Sequence, residues 1–359
     1  MLKKANSQST YEMVARRKIF FIAVLLVLLI AIALAAISAG SAGISFIDIL
    51  KTLVGKGTKK AEIVVYGIRL PRIYTAMLVG ATLAIAGAVM QSILRNQLAS
   101  ASTLGVSQGA AFGATIAIIL FGAGTQNSTA AANAVSIDNP YVVTICAFMG
   151  GAISAVVVLI LSRIKRIGPE ALVLSGVALS AMFSGGTTLM QYFAEDVQVA
   201  AVVFWTFGDL GRTNGKELII LLIVFIIAFI YFMFNRWNYN ALNSGHHTAK
   251  SLGVNVESLI LCSMIIASLA SAAAVALVGI ISFIGLVAPH LLRMFIGNDY
   301  RFLLPASAVA GAVLLLLADT FARVVISPII LPIGAITSFI GGPMFLYLLF
   351  KGESKHDRN

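Results

Sequence analysis

The sequence predicts an all-α, polytopic membrane protein, and three observations lead to that prediction. Of its 359 residues, 59% are hydrophobic and only 11% are charged, whereas soluble domains carry roughly 25% charged residues. Apolar runs recur along the chain at the length of about 20 residues that a helix needs to cross the hydrocarbon layer. The charged residues fall mainly between these runs. This composition excludes a water-soluble enzyme and a nucleic-acid-binding protein.

Each apolar run is interpreted as a helix, because backbone polar groups in hydrocarbon must pair within their own segment. Spans are expected near residues 19–38, 72–93, 105–123, 140–162, 170–193, 216–235, 258–278, 280–296, 302–322 and 333–350. No charge lies between Glu257 and Arg293, so only Gly279 indicates a break between the seventh and eighth spans. The prediction is therefore about ten transmembrane helices, with nine or eleven left open.

The first span also resembles a signal peptide, because basic residues precede it and small residues follow it. A signal peptide has an apolar core of about 7–15 residues, and the run at 19–38 is longer, so we expect an uncleaved span. An even number of spans puts both termini on one side. With that side cytoplasmic, 16 of the 25 basic residues lie inside, as the positive-inside rule requires. We expect one membrane domain over 1–359, with cytoplasmic tails at 1–18 and 351–359 and a cytoplasmic loop at 236–257.

Arginines flank the outer start of the second span, in the stretch Arg69-Leu-Pro-Arg72. Such side chains can anchor a helix end at the lipid headgroups. In the third span, Gly105-Val-Ser-Gln-Gly109 matches a pattern that presents a nucleophilic serine, here Ser107, on a turn between a strand and a helix. The stretch continues to Gly113 with a small residue at every fourth position, which is typical of close helix packing. The packing interpretation is favoured over an intramembrane hydrolase.

The sequence contains no evident energy source. Gly211-Arg-Thr-Asn-Gly-Lys216 is one residue short of a phosphate-binding loop and continues with Glu217, so we expect no ATP hydrolysis and no catalytic residue in this chain. Asp319 is the one acid deep in an expected span, and Arg323 lies four residues later, where a helical ion pair explains both. Cys146 and Cys262 have no neighbouring Cys or His, so no metal site is indicated.

The inner loop from Asn235 to Ser258 is polar, but Leu242, Ala249 and Leu252 recur in it at helical spacing. This spacing predicts a short amphipathic helix at the membrane face. An ordinary surface loop remains the alternative.

Four ordered blocks resemble one family of membrane proteins. They are Arg69–Arg72 followed by Leu78–Gln91, Arg95–Gly109, Gly279–His290, and the segments Leu303–Ser307, Ala318–Thr320, Leu331–Gly334 and Gly342–Phe345. From about residue 20 to residue 351 the chain is similar to the FecCD, or vitamin B12-type, permease subunits of bacterial ABC importers. These importers take up iron–siderophores, haem or cobalamin.

The resemblance implies a type II ABC importer permease that imports such a metal chelate across the bacterial cytoplasmic membrane. It implies a second permease subunit, identical or related, and an ABC ATPase dimer that binds ATP and Mg. It also implies an extracytoplasmic substrate-binding protein that delivers the chelate. The chain itself is expected to bind no cofactor and no nucleic acid, and to contact membrane lipid. An ion-coupled secondary transporter that needs no partner is the alternative.

The resemblance also implies roles for particular residues. Arg69, Arg72 and Arg323 match arginines that pair with acidic residues of the binding protein. The ATPase-coupling segment corresponds to Leu242, Gly245, His246, His247, Ala249, Lys250, Leu252 and Gly253. Relatives often carry an acid at the position of His246 or His247. The turn at Gly168, Pro169 and Glu170 corresponds to an inner gate, where relatives often carry hydroxyl residues, and Thr187, Thr188 and Gln191 are expected to line the translocation path.

Overall fold

The computed structural model describes residues 2–40, 44–122, 124–127, 134–137, 139–165 and 169–356. The helices are α1 Leu2–Ser38, α2 Phe46–Leu53, α3 Lys59–Val64, α4 Leu70–Ile93, α5 Val106–Leu120, α6 Pro140–Lys165, α7 Pro169–Tyr192, α8 Asp196–Thr206, α9 Gly215–Phe234, α10 Arg236–Asn243, α11 His246–Ser251, α12 Val256–Val278, α13 Ile284–Ile296, α14 Tyr300–Val324 and α15 Ile333–His356. A π-helical turn, Val65–Arg69, joins α3 to α4, and a 3₁₀ turn, Ser102–Leu104, precedes α5. The all-α prediction is confirmed.

Two short strands are the only ones in the described part of the chain. β1 (Gly124–Asn127) and β2 (Ala134–Ile137) pair antiparallel between α5 and α6, with Gly124 opposite Ile137. Helix α8 was also not predicted, because its 11 residues are too few to read as a membrane span.

All ten expected spans are helices. Seven are long and apolar enough to cross a membrane. Helices α5, α13 and the segment Ile333–Tyr347 of α15 are shorter, at 10–17 residues. The predicted break at Gly279 is confirmed: α12 ends at Val278, and Gly279 has a φ of +83°. A Cβ there would collide with the carbonyl of Trp205. The backbone at the break is paired inside the protein, where Asp209 N donates to Val278 O at 2.7 Å.

The helices α4, α12 and α14 form the centre of the fold. In the most apolar stretch of the spans that include α4, α12 and α14, 78%, 61% and 72% of the residues are buried. The corresponding fractions are 11% for α1 and 17% for α7. Backbones approach closely where small residues meet: a Cβ on Gly80 of α4 would collide with Gly311 O of α14. In the same way, a Cβ on Gly113 of α5 would collide with Cys146 O of α6. The glycine stripe of α5 is therefore a packing surface, as predicted.

The polar loop between α9 and α12 contains two short helices, α10 and α11, separated by a turn at Ser244 and Gly245. The prediction of one amphipathic helix is wrong in two respects. Gly245, with a φ of +114°, interrupts the helix. Leu252 lies beyond the end of α11 and is 68% exposed, whereas Leu242 and Ala249 are fully buried.

Candidate functional site

A buried cluster of arginines and aspartates lies at the end of the bundle opposite α10. Arg72 Nε donates to Asp319 Oδ1 at 2.8 Å, and Arg323 Nε donates to Asp319 Oδ2 at 2.9 Å. The expected pairing of Asp319 with Arg323 is therefore present, and Arg72 joins it. Arg72 also pairs with Asp209, in the loop between α8 and α9, at 3.1 Å. We call Arg69, Arg72, Asp209, Asp319 and Arg323 the arginine cluster.

The arginine cluster also holds the last turn of α1. Arg69 Nη1 donates to Ile37 O at 2.5 Å, and Arg323 Nη1 donates to Ala39 O at 3.0 Å. Carbonyls at the end of a helix have no hydrogen-bond donor within the helix, and the helix end carries partial negative charge. The guanidinium groups supply both the missing donors and an opposite charge. The cluster holds three arginines against two aspartates, and Nη2 of Arg69 is buried without a hydrogen-bond partner in the described part of the chain.

The three arginines expected to dock a partner are therefore not free surface groups. As whole residues, Arg69, Arg72 and Arg323 are 5%, 8% and 9% exposed, and Asp319 is fully buried. Docking stays a prediction for them. An acidic partner would reach Arg72 and Arg323 only in competition with Asp319, while Arg69 has no acidic partner among the described residues.

The α10–α11 segment contains both anchoring and exposed residues. Leu242 and Ala249 are fully buried and hold the segment against the bundle, so they cannot contact a partner. His247, Lys250 and Leu252 are exposed, and the Lys250 Nζ lies 3.4 Å from the Glu257 carboxylate. Gly253, like Gly245, has a positive φ, of +83°. These two positions are where the chain turns into and out of α11.

His246 lies between the buried and exposed parts of this segment. Burial lowers the pKa of its imidazole below the ordinary value of 6.5, and the nearby cations Arg95 and Lys250 and the imidazole of His247 lower it further. Arg95 follows α4 and has a φ of +45°, the left-handed conformation usually taken by glycine after a helix. At neutral pH His246 is therefore mainly uncharged, and its Nε2 is buried without a hydrogen-bond partner in the described part of the chain.

Helix α7 carries the expected path residues on a surface that the rest of the chain leaves largely uncovered. Thr188 is exposed and its hydroxyl donates to Ser184 O at 3.1 Å, while Gln191 is half-buried. The Thr187 hydroxyl is buried without a hydrogen-bond partner among the described residues. Of the expected gate, Gly168 lies outside the described residues, and Pro169 and Glu170 begin α7 with side chains that are likewise not described.

The other candidate chemistries receive no support. Ser107 lies in the first turn of α5 after a 3₁₀ turn, not after a strand, and no described hydrogen bond joins it to a histidine or an acid. Within the described ranges, no three His, Cys, Asp or Glu side chains are grouped as a metal site would require. Asp319, the one acid considered for ion coupling, is paired with two arginines.

Comparison with known proteins gives consistent matches over almost the whole chain. The FecCD transport family matches residues 25–351. A Methanocaldococcus jannaschii protein assigned as an ABC transporter permease is 51% identical over 341 residues, which are 95% of this chain and 97% of that protein. The hemin transport system permease protein of Yersinia pestis is 36% identical and covers 79% of this chain, with 82% of its own length matched.

A solved structure is similar in fold as well. It shows a protein assigned as a metal-chelate type ABC transporter in an inward-facing conformation, and it superposes with a TM-score of 0.79 at 30% identity. The match covers 92% of this chain and 99% of the other.

Proposed function

The chain belongs to the FecCD transport family and is a membrane permease subunit of an ABC importer, and we propose that its cargo is a metal chelate. Haem and iron–siderophores are the leading candidates, with cobalamin next. The observation that carries this proposal is the match, over nearly the full length, to a solved metal-chelate type transporter and to a hemin permease. The chain is not an enzyme, because permeases of this family leave ATP hydrolysis to a separate subunit.

In this proposal an ABC ATPase dimer, which binds ATP and Mg, contacts the α10–α11 segment on the cytoplasmic side. The segment suits that role because its exposed residues stand on a buried base. His247, Lys250 and Leu252 are available to a partner, while Leu242 and Ala249 fix the segment to the bundle. Because the segment is fixed to the bundle, a partner that displaces the segment also displaces the helices that hold it.

The extracytoplasmic substrate-binding protein is proposed to dock at the arginine cluster. Three arginines against two aspartates leave a positive balance there, and Arg69 offers a buried donor group that has no acceptor among the described residues. Complementary charge at such a surface steers docking and fixes its orientation. The orientation of the chain follows: the arginine cluster lies outside and α10 lies in the cytoplasm, together with both termini, in the bacterial cytoplasmic membrane.

The substrate is proposed to pass along α7, beside a second permease subunit that is either identical or related. Only 17% of the residues in the most apolar stretch of α7 are buried, so most of this helix is available to a substrate or a neighbouring subunit. Thr188 and Gln191 would give the path weakly polar walls, which pass a bulky chelate without holding it tightly. The gate at Gly168–Glu170 remains part of this proposal.

The test is ATP-driven uptake in proteoliposomes that contain the permease with its co-purified ATPase and binding protein. Haemin and a ferric siderophore are the two probes. Uptake of either probe that requires ATP supports the proposal. Uptake that instead follows a proton or sodium gradient without ATP would support the ion-coupled carrier and overturn it.

A further inference from the structure

Helix α10 is fastened to the start of α14 by one asparagine that makes two hydrogen bonds. Asn240 Nδ2 donates to Asp299 Oδ1 at 2.9 Å, and Asn240 Oδ1 accepts from the backbone N of Tyr300 at 2.8 Å. Asp299 is the N-cap of α14, and its side chain also accepts from Arg301 N at 3.1 Å. A single amide therefore binds the cap and the first residue of α14. We call Asn240, Asp299 and Tyr300 the α10 latch.

Neighbouring residues of α10 reinforce the α10 latch. The guanidinium of Arg301 lies over the Trp237 ring, 4.5 Å from its centroid. The rings of Tyr239 and Tyr300 lie 5.5 Å apart, and both side chains are almost completely buried. Consecutive faces of α10 thus pack on the first turn of α14, so α10 cannot shift without moving α14 or breaking these contacts.

Helix α14 connects the α10 latch to the arginine cluster. It has 25 residues and so is about 37 Å long at 1.5 Å per residue. Its first residue, Tyr300, also donates from its hydroxyl to Ala88 O of α4 at 3.0 Å. Near its other end Asp319 holds Arg72 and Arg323. One buried helix therefore carries the α10 latch at one end and the buried carboxylate of the arginine cluster at the other.

We propose that the α10 latch transmits movement of the ATPase-contacting segment into α14 and so to the arginine cluster, with Asn240 as the positioning residue. The inference rests on the proposed function, since it needs an ATPase that moves α10. The warrant is geometric, since α14 contacts both α10 and the arginine cluster; coupling also requires that α14 take two positions, and nucleotide-dependent labelling at its far end measures this. Without the Asn240 bonds, Trp237 and Tyr239 would still pack on the first turn of α14, but the two hydrogen bonds that fix the position of α10 on α14 would be gone.

The test measures whether nucleotide on the ATPase reaches the far end of α14. Val325, just after α14, is half-exposed, so Val325→Cys is introduced with Cys146→Ala and Cys262→Ser. The rate of labelling by a membrane-impermeant maleimide is compared with and without ATP–vanadate, in the complex with its ATPase. Asn240→Asp places two carboxylates together and removes the donor, and Asn240→Asp with Asp299→Asn restores an amide–carboxylate pair. Asn240→Ala is a second disrupting variant.

The matched control is Asn238→Ala. Asn238 lies on the same helix, but its amide donates to Asn235 at 2.9 Å and not to α14. In the parent and in Asn238→Ala the labelling rate is expected to depend on ATP–vanadate. In Asn240→Asp and Asn240→Ala most of this dependence is lost, on the order of a fivefold weaker coupling or more, while ATP hydrolysis and ATPase association persist. The double variant recovers part of it, because Asp299→Asn restores an amide–carboxylate pair with residue 240 but also removes the ion pair of Asp299 with Arg301.

Three results would overturn the inference. The first is full nucleotide dependence in Asn240→Asp or Asn240→Ala. The second is loss of nucleotide dependence in Asn238→Ala as well, since this would make the effect one of general helix damage. The third is a parent complex that hydrolyses ATP but shows no dependence at Val325→Cys. A parent chain that associates with no ATPase would instead contradict the proposed function, and the inference would fall with it.

Discussion

Arg72 and Asp319, 247 residues apart in the chain, form a buried ion pair with 2.8 Å between Nε and Oδ1. Asp319 is fully buried and its second oxygen binds Arg323, so one carboxylate pairs with two guanidinium groups. The Arg72–Asp319 pair joins α4 to α14. Arg323 also donates to Ala39 O, just after α1, so the same carboxylate holds three helices together.

Asp319→Asn is expected to destabilise the protein strongly, because it leaves Arg72 and Arg323 buried without this acid. Breaking a buried pair by removing one partner costs about 3–5 kcal/mol. Asp209→Asn is the comparison, because the Asp209 side chain is 44% exposed and exposed partners contribute about 1 kcal/mol or less. The measurement is the free energy of unfolding from SDS titration in mixed micelles. If the two variants lose the same free energy of unfolding, Asp319 contributes no more to stability than the exposed Asp209, and the prediction is wrong.

Gly113→Ala is expected to destabilise the contact between α5 and α6, because the new Cβ would collide with Cys146 O. Overpacking of this kind costs about 1–3 kcal/mol. Gly185→Ala is the matched control in α7, where nothing lies within 4 Å of the position of the Cβ. The same unfolding titration should show a loss for Gly113→Ala and little change for Gly185→Ala. A neutral Gly113→Ala would show that the α5–α6 contact can relax.

Arg69→Gln is expected to weaken association with the substrate-binding protein, since it removes a charge that has no acidic partner among the described residues. Truncating one partner of a buried charge pair costs at least about 2 kcal/mol, or more than tenfold in Kd. Lys56→Gln removes a charge from an exposed residue of the neighbouring loop and serves as the control. Kd is measured on nanodisc-embedded permease. An unchanged Kd in Arg69→Gln would count against docking at this residue.

His246 should make the stability of the α10–α11 segment depend on pH. Its pKa is lowered from 6.5 by burial and by neighbouring positive charge, so the unfolded chain binds the proton more readily than the folded one. Stability is therefore full above pH 6.5 and falls as the pH drops below that value. Hydrogen exchange in residues 246–251 should accelerate between pH 7.5 and 5.5, after correction for intrinsic rates. His246→Gln should remove most of that acceleration, and an equal acceleration in the variant would contradict the assignment.

Much of the fold follows from the sequence, because hydropathy and helix length govern membrane spans directly. The break at Gly279 was predictable from a single residue, and so was the pairing of Asp319 with Arg323, four residues apart on one helix. Arg72 joining that pair was not predictable, because nothing local connects residues 72 and 319. Asn240 carried no signal at all: an asparagine in a polar loop is ordinary until the structure places it against Asp299 and Tyr300.

The spacing of apolar residues in the inner loop led to the wrong prediction of a single amphipathic helix. Leu242, Ala249 and Leu252 have helical spacing, but Gly245 interrupts the helix and Leu252 falls after its end. The sequence therefore predicted that this segment contains helix, but it did not predict two helices separated by a turn. The exposure of Leu252 is the feature that a partner surface needs, and it became visible only in three dimensions.

The most direct test of the account is a crosslink from the α10–α11 segment in the native membrane. His247→Cys, in a chain with Cys146→Ala and Cys262→Ser, is treated with a short bifunctional thiol–amine reagent, and the attached protein is identified by mass spectrometry. The account predicts a crosslink to a protein with a complete phosphate-binding loop, and its loss when that protein is deleted. If the permease drives ATP-independent uptake and His247→Cys reproducibly crosslinks to no such protein, the assignment of this segment and the importer mechanism are contradicted.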